Sequence, residues 1–206
     1  MPETETKRLF VAIFPPAPIV ASLQAAVAQL GERLPPRAIR WTRPDQIHLT
    51  LYFLGAIAAT RLPEIQSALR AACAGHRPHT VRAIGLGCFP NPSRPRIIWA
   101  GLAADLRPVE DLKKAINAAF LACGCVGEDH PFHPHLTVGR VAELNAARRR
   151  QVAEALAGEP ERDFGQWEVE RVDLMQSVLS PQGAAYSVLQ SILLEGNRPV
   201  LAGPGK

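Results

Sequence analysis

The chain is predicted to be an α+β protein in which a duplicated β-α-β-α-β unit forms two pseudo-twofold-related lobes, with antiparallel sheets around a central cleft. Three observations predict it. Strand-like and helix-like stretches follow one another in the same order in both halves. The triplet His-Leu-Thr begins at His48 and again at His135, 87 residues (135 − 48) further along. The same offset carries Phe10 onto Ile97 and Thr80 onto Trp167, each within a matching strand-like run. One long period seen twice indicates duplication, whereas a solenoid needs several shorter repeats. The whole chain, 1–206, is read as a single bilobal domain, with repeat 1 over about 8–90 and repeat 2 over about 95–195.

The elements follow from period and punctuation. Leu9 to Phe14 (LFVAIF) is an apolar run of strand length, and Pro15, Pro16 and Pro18 stop it. Ile19, Leu23, Val27 and Leu30 then recur at helical spacing, which predicts an amphipathic helix over 17–34. Ile47 to Leu54 (IHLTLYFL) has strand composition and is expected to end at Gly55. Thr60 is placed to cap a helix carried by Leu62, Ile65, Leu69 and Ala72, and Thr80 to Phe89 reads as a strand. In the second half Arg96 to Leu102 is a strand, and Pro108 sits early in a helix built on Val109, Leu112, Ile116 and Phe120. His135 to Val141 (HLTVGRV) is the next strand. Asn145 caps a helix that runs through Val152 and Leu156 and closes at Gly158, and Trp167 to Leu179 returns as one strand. MPETETK and NRPVLAGPGK are expected to fray.

Composition narrows the function classes. At 206 residues and 47% hydrophobic, the chain can build a core without metal or disulfides. No apolar stretch reaches the roughly 20 residues of a membrane span or looks like a secretory leader, so a cytoplasmic protein is expected, and a monomer. In that compartment the cysteines at 73, 88, 123 and 125 are expected to be reduced thiols. A net charge of +4 and a pI near 9.1 suit an anionic ligand, but the basic residues are scattered and do not identify one.

The triplets carry the chemistry. Side chains alternate across a strand, so His48 and Thr50 face one side while Leu49 and Leu51 face the core, and His135 and Thr137 do likewise opposite Leu136 and Val138. A duplicated fold then presents two imidazoles and two hydroxyls to one space. Such a set suits phosphodiester cleavage without a metal. A neutral imidazole takes a proton from water, a protonated one gives a proton to the departing oxygen, and histidine holds either form near neutral pH. Threonine hydroxyls donate to non-bridging phosphate oxygens as charge builds there. A lone histidine on an apolar strand is most often a satisfied core residue; two of them, each followed by Thr at the same offset, have no such structural reason.

The HxTx motifs HLTL at 48–51 and HLTV at 135–138 resemble those of the two-histidine (2H) phosphoesterases. RLFVAIFPP at 8–16, IRWTRPDQIHLTLYFLG at 39–55, RPRIIWAGL at 94–102, FHPHLTVGR at 132–140 and LMQSVLSPQGAAYSVL at 174–189 resemble the RNA 2′,3′-cyclic phosphodiesterases, also called 2′-5′ RNA ligase-like proteins. The resemblance implies a duplicated α+β fold with a central groove, no cofactor or metal, and RNA ends or nucleoside 2′,3′-cyclic phosphates as partners. It implies hydrolysis of a terminal 2′,3′-cyclic phosphate to a 2′-phosphomonoester, with 2′-5′ RNA ligation as the reverse. By motif order His48 would give the proton to the leaving oxygen, His135 would activate water, and Thr50 and Thr137 would hold the phosphate.

Further candidates lie outside the two triplets. Arg140 could supply charge to a phosphate, but strict alternation turns it away from His135 and Thr137 unless Gly139 marks a bulge. Phe14, Trp41 and Phe53 flank the motif strands and are candidates to stack on a terminal base. Arg40, Arg43, Arg94 and Arg96 are candidate groove charges. The main rival is a structural zinc site from Cys123, Cys125, His130, His133 and His135, whose spacing fits no standard finger. The other is a non-catalytic RNA-binding module, against which the two intact HxT sets speak.

Overall fold

The structure, a computed structural model, describes residues 5–126, 131–159, 161–181 and 183–196. The first apolar run becomes β1, Thr6–Ile13, whose last five residues are all buried. A strand buried along its whole length needs cover on both faces. Leu9, Val11 and Ile13 face the main core, while Phe10 and Ala12 face a second, small cluster with Met175. The helical spacing from Ile19 onward becomes α1, Ala17–Glu32, with Pro18 in its first turn and Ile19, Leu23, Val27 and Leu30 buried.

The chain continues with β2 (Ile39–Trp41), a 3-10 turn (Pro44–Gln46), β3 (Leu49–Ala58), a second 3-10 turn (Ala59–Arg61), α2 (Leu62–Cys73) and β4 (His79–Phe89). The second half holds β5 (Ile97–Ala103), α3 (Arg107–Ala122), β6 (His135–Val141), α4 (Ala146–Ala157), β7 (Asp163–Val169), β8 (Arg171–Ser180) and β9 (Gly183–Leu193). The strands form two antiparallel sheets, ordered β3-β1-β8-β9 and β2-β6-β5-β4-β7. The α+β architecture expected from the alternating pattern is therefore present.

The sheets do not divide the chain at its middle. β4, from the first half, lies beside β5, and β8, from the second, lies beside β1. The helices cross over in the same way: α1 packs against β7, whereas α3 packs against β3 and α2 against both α3 and β9. One continuous apolar core joins residues of both halves, from Leu23 and Leu51 to Ile116 and Leu136.

Four local expectations need correction. β3 runs through Gly55 to Ala58; Gly55 takes a φ of +71° at a register shift against Leu9, so the glycine marks a bulge and not an end. Thr60 lies in a 3-10 turn and does not cap α2, whose first turn is set by Pro63. The stretch read as one strand from Trp167 is two, β7 and β8, separated at Glu170, whose carbonyl accepts from the Leu194 amide. β9 was not expected. Asn145 does cap its helix, accepting from the Arg148 amide at 3.0 Å, and Gly158 closes it. Among the described residues no helix is long and apolar enough to cross a membrane.

Candidate active site

β3 and β6 lie beside β1 and β5 in their own sheets and meet each other at the middle of the molecule. Each is bulged at the same place. Thr50 pairs with Ala12 and Tyr52 with Val11, which leaves Leu51 as the extra residue; Thr137 pairs with Trp99 and Gly139 with Ile98, which leaves Val138 extra. The extra residue lets two successive side chains point inward, so Leu51 and Tyr52 are both buried, as are Val138 and Gly139. The residue that follows is turned outward into the cleft: Phe53 in one half and Arg140 in the other, again 87 positions apart. The bulge that Arg140 required is thus built, and it is built twice.

The cleft has a volume of about 740 Å³. His48, Thr50, His135 and Thr137 line it together, with Trp41, Phe53 and Arg140. Trp41 is held by the bulge: a Cβ on Gly139 would fall 2.8 Å from Trp41 Cε3 and 2.7 Å from Ile39 Cγ2, so only glycine admits β2 this close. Phe14 is not a lining residue; its ring packs on His48, 5.4 Å between centroids, beside the small apolar cluster. Arg40 and Arg43 line the cleft, whereas Arg94 and Arg96 do not. Sequence reasoning passed over Arg8, Gln46, Ser177 and Tyr186, which also line it. Ser177 and Tyr186 come from β8 and β9, and Gln46 ties the 3-10 turn to the Ala184 carbonyl across the cleft mouth.

Both histidines are fixed by the same contact. Nδ1 of His48 lies 2.7 Å from the Gln46 carbonyl oxygen, and Nδ1 of His135 lies 2.7 Å from that of His133. A carbonyl only accepts, so each Nδ1 carries the proton and donates, and each Nε2 is left for the cleft. Their surroundings differ. His48 is stacked among Phe10, Phe14 and Tyr186 at 5.0, 5.4 and 5.6 Å. His135 sits against Phe89 at 5.0 Å and Trp99 at 6.4 Å.

Burial is the main reason that both imidazoles ionise below the ordinary histidine range, because a charged ring loses hydration there. The Gln46 and His133 carbonyls oppose that fall, while the charges of His135 and Arg140 add to it at His48, and that of His133 adds to it at His135. Four arginines line the cleft and, among the described residues, no carboxylate does; only Arg43 is paired, with Asp45 at 2.7 Å. A low-dielectric cleft with that excess concentrates anions.

Among the described residues the candidate zinc ligands are not gathered into one group. His135 points into the cleft, while Cys123 and Cys125 close α3 beside Arg61 and Glu64; His130 lies outside the described residues. Among the described residues no group of three His, Cys, Asp or Glu side chains is placed to hold an ion.

Paired HxTx strands, two imidazoles and two threonines over one arginine-lined cleft, and two exchanged antiparallel sheets are the features of a two-histidine phosphoesterase. The chain belongs to the family described as LigT like Phosphoesterase, which matches it twice, over residues 13–99 and 102–186. It is 34% identical over 212 aligned positions to an RNA 2′,3′-cyclic phosphodiesterase of Thermus thermophilus, covering 97% of each chain. A second relative of the same name, from Archaeoglobus fulgidus, is 30% identical over 185 residues, 89% of this chain and 98% of that one. Among solved structures, a Thermus thermophilus protein superposes with a TM-score of 0.74 at 31% identity, covering 92% of this chain and 99% of that one. E. coli LigT complexed with 3′-AMP gives a TM-score of 0.74 at 25% identity, with the same coverage of 92% and 99%.

Proposed function

We propose that this phosphoesterase hydrolyses the 2′,3′-cyclic phosphate at the end of an RNA to a 2′-phosphomonoester. The observation that carries the reading is the pairing of His48 and His135, each with Nδ1 committed to a carbonyl and Nε2 left to the same cleft. His135 Nε2 takes a proton from water as its oxygen attacks phosphorus. The bond from phosphorus to O3′ breaks, and His48, protonated at Nε2, supplies the proton that O3′ needs. Thr50 and Thr137 donate to the non-bridging oxygens, and Arg140, raised by its bulge, balances their charge. Trp41 offers a face to the terminal base, and Phe53 lines the same cleft. With a ribose 5′-hydroxyl in place of water, the same step would form a 2′-5′ linkage: His135 takes the hydroxyl proton, the 5′-oxygen bonds to phosphorus, and O3′ leaves with the proton from His48. The names borne by the Thermus and Archaeoglobus relatives, and the nucleotide in the E. coli LigT complex, support this substrate class.

The acid must be protonated although burial favours its neutral form. A bound phosphate answers this, since a nearby anion favours the imidazolium. The pH profile of kcat/KM, which reports the free protein, is therefore expected to be a bell displaced to the acid side of the ordinary histidine value. The profile of kcat, which reports the complex, is expected to lie at higher pH. A rate that only climbs to a plateau would remove the paired acid and base. The direct test offers cyclic-phosphate-ended RNA to wild type, His48→Ala and His135→Ala and locates the phosphate of the product by phosphorus NMR. A 3′-phosphate product, or turnover that survives either substitution, would sink the proposal.

A further inference from the structure

The position five residues beyond each histidine faces the cleft, yet one half places a guanidinium there and the other a phenyl ring. The ring does not leave its end of the cleft uncharged. Arg8, on the neighbouring strand β1, reaches over Phe53 with its guanidinium carbon 4.7 Å from the ring centroid, and it too lines the cleft. At the equivalent offset the second half has Pro95, so this charge has no counterpart there. Arg8 is exposed and, among the described residues, forms no ion pair with a carboxylate, so its charge is not spent within the protein. A guanidinium lying on an aromatic face uses its own face for that contact and keeps its N–H edge free, the edge that forks onto a phosphate.

Place along the sheet decides which phosphate. Ala12 pairs with Thr50, Phe10 with Phe53, and Arg8 with Ser177, so along β1 the cleft row runs from the threonine through the ring to the arginine. Arg8 begins four residues from Ala12, roughly 13 Å at the usual rise of a strand. Its side chain lies over Phe53, whose partner on β1, Phe10, is two residues from Ala12. Arg140 is the arginine close enough to act on His48.

We propose that Arg8, seated on Phe53, binds a second phosphate, the diester joining the terminal nucleotide to the one before it. The site then takes an oligonucleotide end in preference to a lone nucleoside cyclic phosphate. This rests on the cyclic-phosphate reading given above.

The test compares adenosine 2′,3′-cyclic phosphate with ApA ending in a 2′,3′-cyclic phosphate, in wild type, Arg8→Met and Phe53→Leu. Methionine keeps an apolar stem on the ring without the charge. We expect wild type to favour the dinucleotide, and Arg8→Met to lower kcat/KM about tenfold more on the dinucleotide than on the mononucleotide. The slope of log KM against log salt for the dinucleotide should fall by about 0.7, one lost phosphate contact on a single strand. Phe53→Leu should move selectivity the same way by a smaller factor. Equal losses on the two substrates in Arg8→Met, with an unchanged salt slope, would overturn the proposal while leaving the cyclic-phosphate reading intact. Absence of wild-type turnover on both substrates would instead overturn the reading beneath it.

Discussion

β3 and β6 bend the same way around the same triplet, yet they seat their histidines in different company. His48 is enclosed by Phe10, Phe14 and Tyr186 and lies within reach of the Arg140 charge; His135 has Phe89 and Trp99 at its edge and a second imidazole, His133, within electrostatic reach. The backbone device is duplicated and the surroundings are not. On the mechanism proposed above, that difference would let one repeated motif serve two opposite proton transfers: the strand fixes direction through the Nδ1 contact, and the neighbours set the readiness of Nε2 to be charged.

The strongest way to break the comparison is to remove one imidazole at a time. His48→Ala and His135→Ala should each lower kcat on a 2′,3′-cyclic phosphate by about 10²–10⁴-fold with an unchanged circular dichroism spectrum. If one proves dispensable, the halves do not share the reaction. Next come the leucines inside the triplets. Leu49 and Leu136 are 2% and 0% exposed in the common core, so Leu49→Ala and Leu136→Ala should each cost about 2–5 kcal/mol in urea unfolding. A cost near zero for one of them would mean that its strand is not anchored as its twin is.

A smaller effect sharpens the difference. Arg140→Met should lose roughly 10- to 100-fold in kcat/KM through the missing charge-assisted bonds. Because the Arg140 charge helps hold His48 below its ordinary range, its removal raises the His48 pKa. The limb of the pH profile that His48 governs should then move to higher pH, while the His135 limb stays. If His48 is the proton donor, the moving limb is the alkaline one; movement of the acid limb would exchange the two roles. The smallest effects belong to the hydroxyls. Thr50→Val and Thr137→Val should each lower kcat/KM by roughly tenfold, as a single hydrogen bond from a neutral hydroxyl to an anionic oxygen warrants.

Much of this was legible because the informative signals are local. Alternation placed His48 with Thr50 and His135 with Thr137, and proline and glycine marked most element ends. The weak points have physical causes. No glycine or proline separates β7 from β8, so the break at Glu170 carries no local signal and is imposed by pairing with different neighbours, β4 for one strand and β1 for the other. β9 is an edge strand whose residues are mostly exposed or half-buried, so it shows no clean apolar alternation. Tyr186 and Ser177 escaped notice with it, because they enter the cleft only through that pairing. Arg8 was hidden for another reason: an arginine at the start of a strand reads as a solvated end until the ring beneath it is seen.

The trading of β4 and β8 between the halves has a mechanical consequence. A fragment ending near residue 93 would carry β4 without β5 or β7, and β1 without β8, leaving bare strand edges where the intact chain has partners. Neither half can therefore complete itself first and dock afterwards. The molecule should unfold in one cooperative step, and the gap between the two imidazoles is set by interlocked sheets instead of by a hinge.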